Sequence, residues 1–160
     1  MNKQILLTFL KLFTMKRFFL LLMLIPMALG LASCDYHDRF ITVGDLPTKT
    51  TTFIADVFPN CDIVSIDKDR DIDGVTYDVV LSCGVRLEFN RSGEWNEIDC
   101  EPNAVPEVVI PEGIKNFMAE NYSKYFIEKI SREWYGYKVE LNIDVELTFD
   151  KNGNFRRFDD

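Results

Sequence analysis

Two stretches of the chain repeat one alternation of apolar and polar positions. Tyr77, Val79 and Leu81, followed by Val85, Leu87 and Phe89, recur as Tyr137, Val139 and Leu141, followed by Val145, Leu147 and Phe149. A period of two predicts half-buried strands. The parity survives the connection in both stretches, so each connection must hold an odd number of residues. Ser82-Cys83-Gly84 and Asn142-Ile143-Asp144 fit the three-residue hairpin loop, whose last position is left-handed and favours Gly, Asn or Asp. The next turns, Arg91-Ser92-Gly93 and Lys151-Asn152-Gly153, again end on glycine. Strands are expected near 62–69, 76–82, 85–90 and 94–99, and near 126–133, 137–142, 145–150 and 154–158.

Upstream of each set the period changes to that of a helix. Ile114, Phe117, Met118, Tyr122 and Tyr125 form one apolar stripe, and Phe53, Ile54, Val57 and Phe58 form another. Pro47 and Pro111 precede these stripes and suit a first helical turn, where a missing N–H costs nothing. The run Thr48 to Thr52 is β-branched and a poor helix former, so the first helix is expected to be the weaker. The spacing therefore predicts an α+β fold, a tandem repeat of a helix plus a four-stranded antiparallel meander. Residues 46–99 and 110–160 form the two copies, and the Pro-containing stretch 100–109 links them. A unit of roughly 50 residues buries too little to be secure alone, so the two sheets are expected to pack or to join edge to edge.

The amino terminus follows other rules. Residues 1–33 hold Lys3, Lys11, Lys16 and Arg17, no acidic residue, and an apolar run from Phe18 to Leu31, which is the pattern of an export signal. Met15, immediately before Lys16-Arg17, is a candidate true start. The stretch Leu31-Ala32-Ser33-Cys34 resembles the bacterial lipobox, which implies cleavage before Cys34 and attachment of diacylglycerol to it; simple secretory cleavage with a free Cys34 thiol is the alternative. Residues 34–45 read as a tether. His37, the only histidine, lies there and is expected to be solvated.

Composition narrows the function. The chain carries 18 Lys and Arg against 26 Asp and Glu, and removing the signal takes away four basic and no acidic residues. No basic block remains to hold phosphate backbones, so nucleic acid is excluded as a partner. A basic protein is the natural counterpart. With one histidine and four scattered cysteines, nucleophile–base pairs and zinc spacings are scarcely available.

The helix-plus-meander pattern, the lipobox, and the matching segments Tyr77…Gly93-Glu94-Trp95 and Tyr137…Gly153-Asn154-Phe155 resemble the PepSY-like, β-lactamase-inhibitor-like family of small exported Bacteroidetes proteins. The resemblance covers about residues 46–160. It implies a helix-flanked curved sheet and an envelope location, and carries no common activity with it. The distant β-lactamase inhibitor proteins clasp an enzyme with the open sheet face, but no inhibitory loop matches residue by residue.

Three features carry candidate chemistry. From Asp69, the run Asp69-Arg70-Asp71-Ile72-Asp73-Gly74 places carboxylates as in the first half of a calcium loop, with Asp69, Asp71 and Asp73 as ligands. The twelfth position is Val80 and the flanks read as strands, so a solvated turn is the plainer reading and weak calcium binding the alternative; no other cofactor is implied. Across the three-residue loops, Asp78 should face Glu88 and Glu140 should face Glu146, and like charges directly opposite are destabilising. These four form a candidate partner-binding face unless Lys129, Lys138, Arg86 or Arg156 neutralises them. Paired carboxylates also suggest a glycosidase, but short loops on a small sheet leave little room for a cleft. Trp134 and Tyr135 form an aromatic recognition patch or simple packing. Cys61, Cys83 and Cys100 can make at most one disulfide. The expectation is a non-catalytic, lipid-anchored envelope protein that binds an envelope or extracellular partner and touches the membrane only through its lipid.

Overall fold

The computed structural model describes residues 41–70, 72 and 74–159. The chain divides into Met1–Asp38 and Arg39–Asp160, and every described residue belongs to the second unit. Met15, Cys34, His37, Asp71 and Asp73 lie outside the described residues.

Each helix begins just after its proline. Helix α1 (Thr48–Val57) follows Pro47 and helix α2 (Glu112–Asn121) follows Pro111. Both prolines occupy the cap, one position earlier than the sequence suggests. There their carbonyls start the helices, accepting from the Thr50 and Ile114 N–H groups at 2.9 and 3.0 Å. The β-branched run does not shorten α1, since both helices span ten residues.

Four strands follow each helix. They are β1 (Ile63–Arg70), β2 (Val75–Leu81), β3 (Arg86–Asn90) and β4 (Trp95–Asp99), then β5 (Ile127–Glu133), β6 (Gly136–Leu141), β7 (Val145–Asp150) and β8 (Phe155–Asp159). The three-residue loops occur where parity demanded them, with positive φ at Gly84 (88°) and Asp144 (56°). The expected α+β tandem fold with two four-stranded sheets is not what forms. All eight strands make one open antiparallel sheet in chain order, and with only two α-helices among the described residues this part of the chain is mainly β. The join is β4 to β5, through Glu97 opposite Ser131, Ile98 opposite Ile130 and Asp99 opposite Lys129. An exposed β4 edge would leave a row of backbone groups unpaired, and pairing it satisfies them while merging two small cores into one.

The merged core is visible as a row crossing the entire sheet. Ile66, Val79, Leu87, Ile98, Ile130, Val139, Leu147 and Phe158 stand directly beside one another on consecutive strands. The helices cover this face: Phe53 of α1 meets the Phe89 ring edge-to-face at 5.7 Å, and Phe117 of α2 meets Phe149 at 5.3 Å. Two turns tuck beneath the helix starts. At Gly93 (φ 79°) a Cβ would lie 2.8 Å from the Pro47 Cβ, and Gly153 (φ 79°) meets Gly113 so closely that its Cβ would lie 3.0 Å from the Gly113 Cα. Only glycine combines that backbone angle with that clearance.

Segment 100–109 is bonded along β5, not hung free. The Cys100 and Val105 N–H groups donate to the Glu128 and Ile127 carbonyls, each at 2.8 Å, and Val105 is buried. Cys61 and Cys83 form a disulfide that ties the α1–β1 connection to the β2–β3 loop. Cys100 is a buried thiol, and burial, followed by the charge of Asp99, pushes its pKa up to about 11. Among the described residues no helix is long and apolar enough to cross a membrane.

Candidate functional site

With one face of the sheet under helices, the opposite face carries the polar residues of the same strands, as the pleat requires. Two rows run across it. In the first, Asp67, Asp78, Glu88 and Glu97 stand in direct register on β1 to β4, and Ser131, Lys138, Thr148 and Arg157 continue it on β5 to β8. Charge is thus segregated along one line: four carboxylates on one half, two cations and two hydroxyls on the other. In the second row, Arg86, Asp99, Lys129, Glu140, Glu146 and Asp159 mix the signs.

The two rows differ in compensation. Arg86 binds Asp99 at 2.7 Å, Lys129 reaches across to Glu97 at 2.7 Å, and Lys138 holds Glu146 at 2.6 Å and approaches Asp159 at 3.5 Å. The predicted opposition of Glu140 and Glu146 is present, and Lys138 neutralises its second member. The predicted opposition of Asp78 and Glu88 is also present, but among the described residues no cation forms an ion pair with it. Glu88 accepts only the Asn96 amide at 2.8 Å, and neither Asp67 nor Asp78 has an ion pair among the described residues. Partial desolvation on the sheet, then Glu88, Asp67, Asp69 and Glu97 in that order, push the Asp78 carboxyl above its ordinary value.

The remaining candidates lie elsewhere. Asp69 is exposed near the end of β1, where its own carboxylate accepts the Arg70 N–H at 2.7 Å. The flanks of the aspartate-rich turn are β1 and β2, so the helix-loop-helix setting of an EF-hand is missing. Among the described residues no three His, Cys, Asp or Glu side chains are grouped to hold a metal. Trp134 is 85% exposed in the β5–β6 turn, edge-to-face with Tyr135 at 5.4 Å, outside the carboxylate row. A groove of about 410 Å³ between α2 and segment 104–110, lined by Val105, Ile110, Met118, Tyr122 and Phe126, contains none of the predicted residues. Asp67 and Glu97 were missed by sequence reasoning; following register across the β1–β2 and β3–β4 hairpins finds them, Asp67 without interruption and Glu97 past the irregularity at Glu88/Phe89.

The family model described as "Putative beta-lactamase-inhibitor-like, PepSY-like" matches residues 75–157. This chain belongs to the PepSY-like family. A solved periplasmic protein of unknown function from Bacteroides vulgatus is 36% identical to this PepSY-like chain, with a TM-score of 0.73 over 74% of this chain and 95% of its own. A second, described as a "putative calcium-regulated periplasmic protein" from Bacteroides thetaiotaomicron, is 30% identical, with a TM-score of 0.72 over 77% of this chain and 97% of its own. These relatives are described as periplasmic, in keeping with an envelope location for this PepSY-like protein. None of the curated proteins matches it.

Proposed function

We propose that this PepSY-like protein is a non-catalytic binding module of the cell envelope whose open sheet face receives a basic protein surface. The observation that carries the reading is the carboxylate half-row Asp67, Asp78, Glu88 and Glu97, in which, among the described residues, Glu97 alone has an ion pair, with Lys129. Three like-charge pairs directly opposite one another each disfavour the fold by about 0.2–1 kcal/mol. A cost kept on an exposed face, beside a second row in which cations are supplied, is where a local rule gives way to function. A basic partner would lift that repulsion, and its encounter would be steered by the field of the row and weakened by salt.

The test is capture from native envelopes at two ionic strengths, comparing the wild-type protein with the Asp78→Lys, Glu88→Lys variant. Basic partners retained by the wild type and lost by the variant support the reading, and identical capture by both contradicts it. Membrane attachment through lipid on Cys34 belongs to the same proposal; release of a Cys34→Ala variant into the soluble envelope fraction is the expected result.

A second reading takes the same acidic end as a calcium site, with Asp69, Asp71 and Asp73 as ligands. It is favoured by the calcium-regulated description of the Bacteroides thetaiotaomicron relative and by carboxylates at alternate positions of one turn. Calorimetric titration with calcium decides it: heat of binding and a raised melting temperature at millimolar calcium support it, and neither response removes it.

A further inference from the structure

The sheet is open, and among the described residues β1 and β8 each have hydrogen-bonding partners on one side only. Neither strand contains proline; the edges are guarded by charge instead, Asp67, Lys68 and Asp69 on β1 and Arg156 and Arg157 on β8, so a strand that pairs with either must match that charge. The two edges are complementary to each other. Because all neighbours are antiparallel, β1 and β8 run in opposite directions, so a second copy in the same orientation can set its β1 antiparallel against β8 and prolong the sheet with its faces unchanged.

One register satisfies three rows at once, and the one like-charge pair it makes, Arg156 opposite Lys68, is relieved by Asp150, which already holds Arg156 at 3.0 Å. Placing Arg157 opposite Asp67 of the next copy brings the cationic end of the charge row against its acidic end. The same register sets Phe158 opposite the next copy's Ile66. These are the two ends of the apolar row, and Phe158 is 57% exposed although it lies on the helix face. It also sets Asp159 opposite Ser65, a carboxylate beside a hydroxyl. Pairing β8 with β8 would instead bring Arg156 and Arg157 against their own copies, and pairing β1 with β1 would bring the acidic open-face positions Asp67 and Asp69 together.

We infer that copies of this protein associate head to tail, the β8 edge of one pairing with the β1 edge of the next. Such a contact is heterologous: it uses two different patches, so it extends into a row of copies or closes into a ring.

The experiment uses the full chain in the cells that export it. Ser65→Cys and Asp159→Cys variants, carrying tags of different size, are expressed singly and together, and intact cells are treated with a short bis-maleimide beside a wild-type control. Co-expression is expected to give a cross-linked dimer at least ten-fold above either variant alone, because only the β8–β1 contact brings the two positions together. A dimer as strong in the Asp159→Cys cells alone, or none above the wild-type background on co-expression, overturns the inference. In the purified full-length protein, Arg157→Asp should abolish the concentration-dependent rise in sedimenting mass, and Arg157→Asp with Asp67→Arg in one chain should restore it. Both sites are exposed at the sheet edges, so the fold tolerates these changes, and failure of the swap to restore association also overturns the inference.

Discussion

The two halves of the sheet share a backbone and differ in charge. Strands β1 to β4 and β5 to β8 carry irregularities at matching places, between Ile63 and Ser65 and between Ile127 and Lys129, then at Glu88/Phe89 and at Thr148/Phe149. Each half closes its first loop with a positive-φ residue, and each tucks a positive-φ glycine under a helix start. On the open face the halves part: the second row of the sheet is mixed and ion-paired, whereas the first row is anionic on β1 to β4 and cationic on β5 to β8. The difference teaches that the backbone does not need the carboxylate line, since the other half makes the same strands with Ser131, Lys138, Thr148 and Arg157.

If the halves share one core, the largest effects should be symmetrical. Phe89→Ala and Phe149→Ala remove rings that are fully buried, and each should cost about 3–5 kcal/mol in denaturant unfolding with a single transition. Two separated transitions would divide the sheet at β4–β5.

The next effect should be one-sided. Matching bonds, Ser82 N–H to the Asp62 carbonyl and Asn142 N–H to the Phe126 carbonyl, make Cys61 and Cys83 equivalent to Tyr125 and Ile143. Cys83→Ser opens a 22-residue separation and should lower stability by about 3 kcal/mol, whereas Ile143→Ala, at an exposed position, should change it by less than about 1 kcal/mol. The glycine contacts sharpen the comparison further. A Cβ on Gly113 would lie 2.7 Å from the Asn152 carbonyl oxygen, which is backbone and cannot swing away, so Gly113→Ala should cost about 1–3 kcal/mol in thermal unfolding.

Much of this was legible before any coordinates. Proline followed by a 3.6-residue stripe located both helices, and unchanged parity across three-residue loops located the opposition of Asp78 with Glu88 and of Glu140 with Glu146. Local pattern could not show that β4 pairs with β5. That pairing joins Ile98 to Ile130 across a stretch that reads as a linker, and alternation within a strand says nothing about its neighbour. The full carboxylate row escaped for a related reason: Asp67 and Glu97 each lie across a separate hairpin, and the irregularity at Glu88/Phe89 shifts the register before Glu97 is reached. The cation–π contact of Arg132 over Trp95, at 3.7 Å, depends on the same pairing of β4 with β5.

The smallest effect is the most direct test. Asp78 on β2 and Lys138 on β6 occupy the same charge row, one uncompensated and one bound to Glu146. Because the folded pKa of Asp78 is raised, its ionised form is the one the fold disfavours, and the penalty is present above that raised value and relieved as pH falls through it. Unfolding free energies of Asp78→Asn and Lys138→Gln at pH 7 and low salt should therefore change in opposite directions, each by about 0.2–1 kcal/mol. The Asp78→Asn gain should vanish below the ordinary carboxyl value of 3.8. A loss of stability in Asp78→Asn at pH 7, or changes of one sign in both variants, would contradict the view that the amino-terminal half of the open face holds charge at the expense of stability.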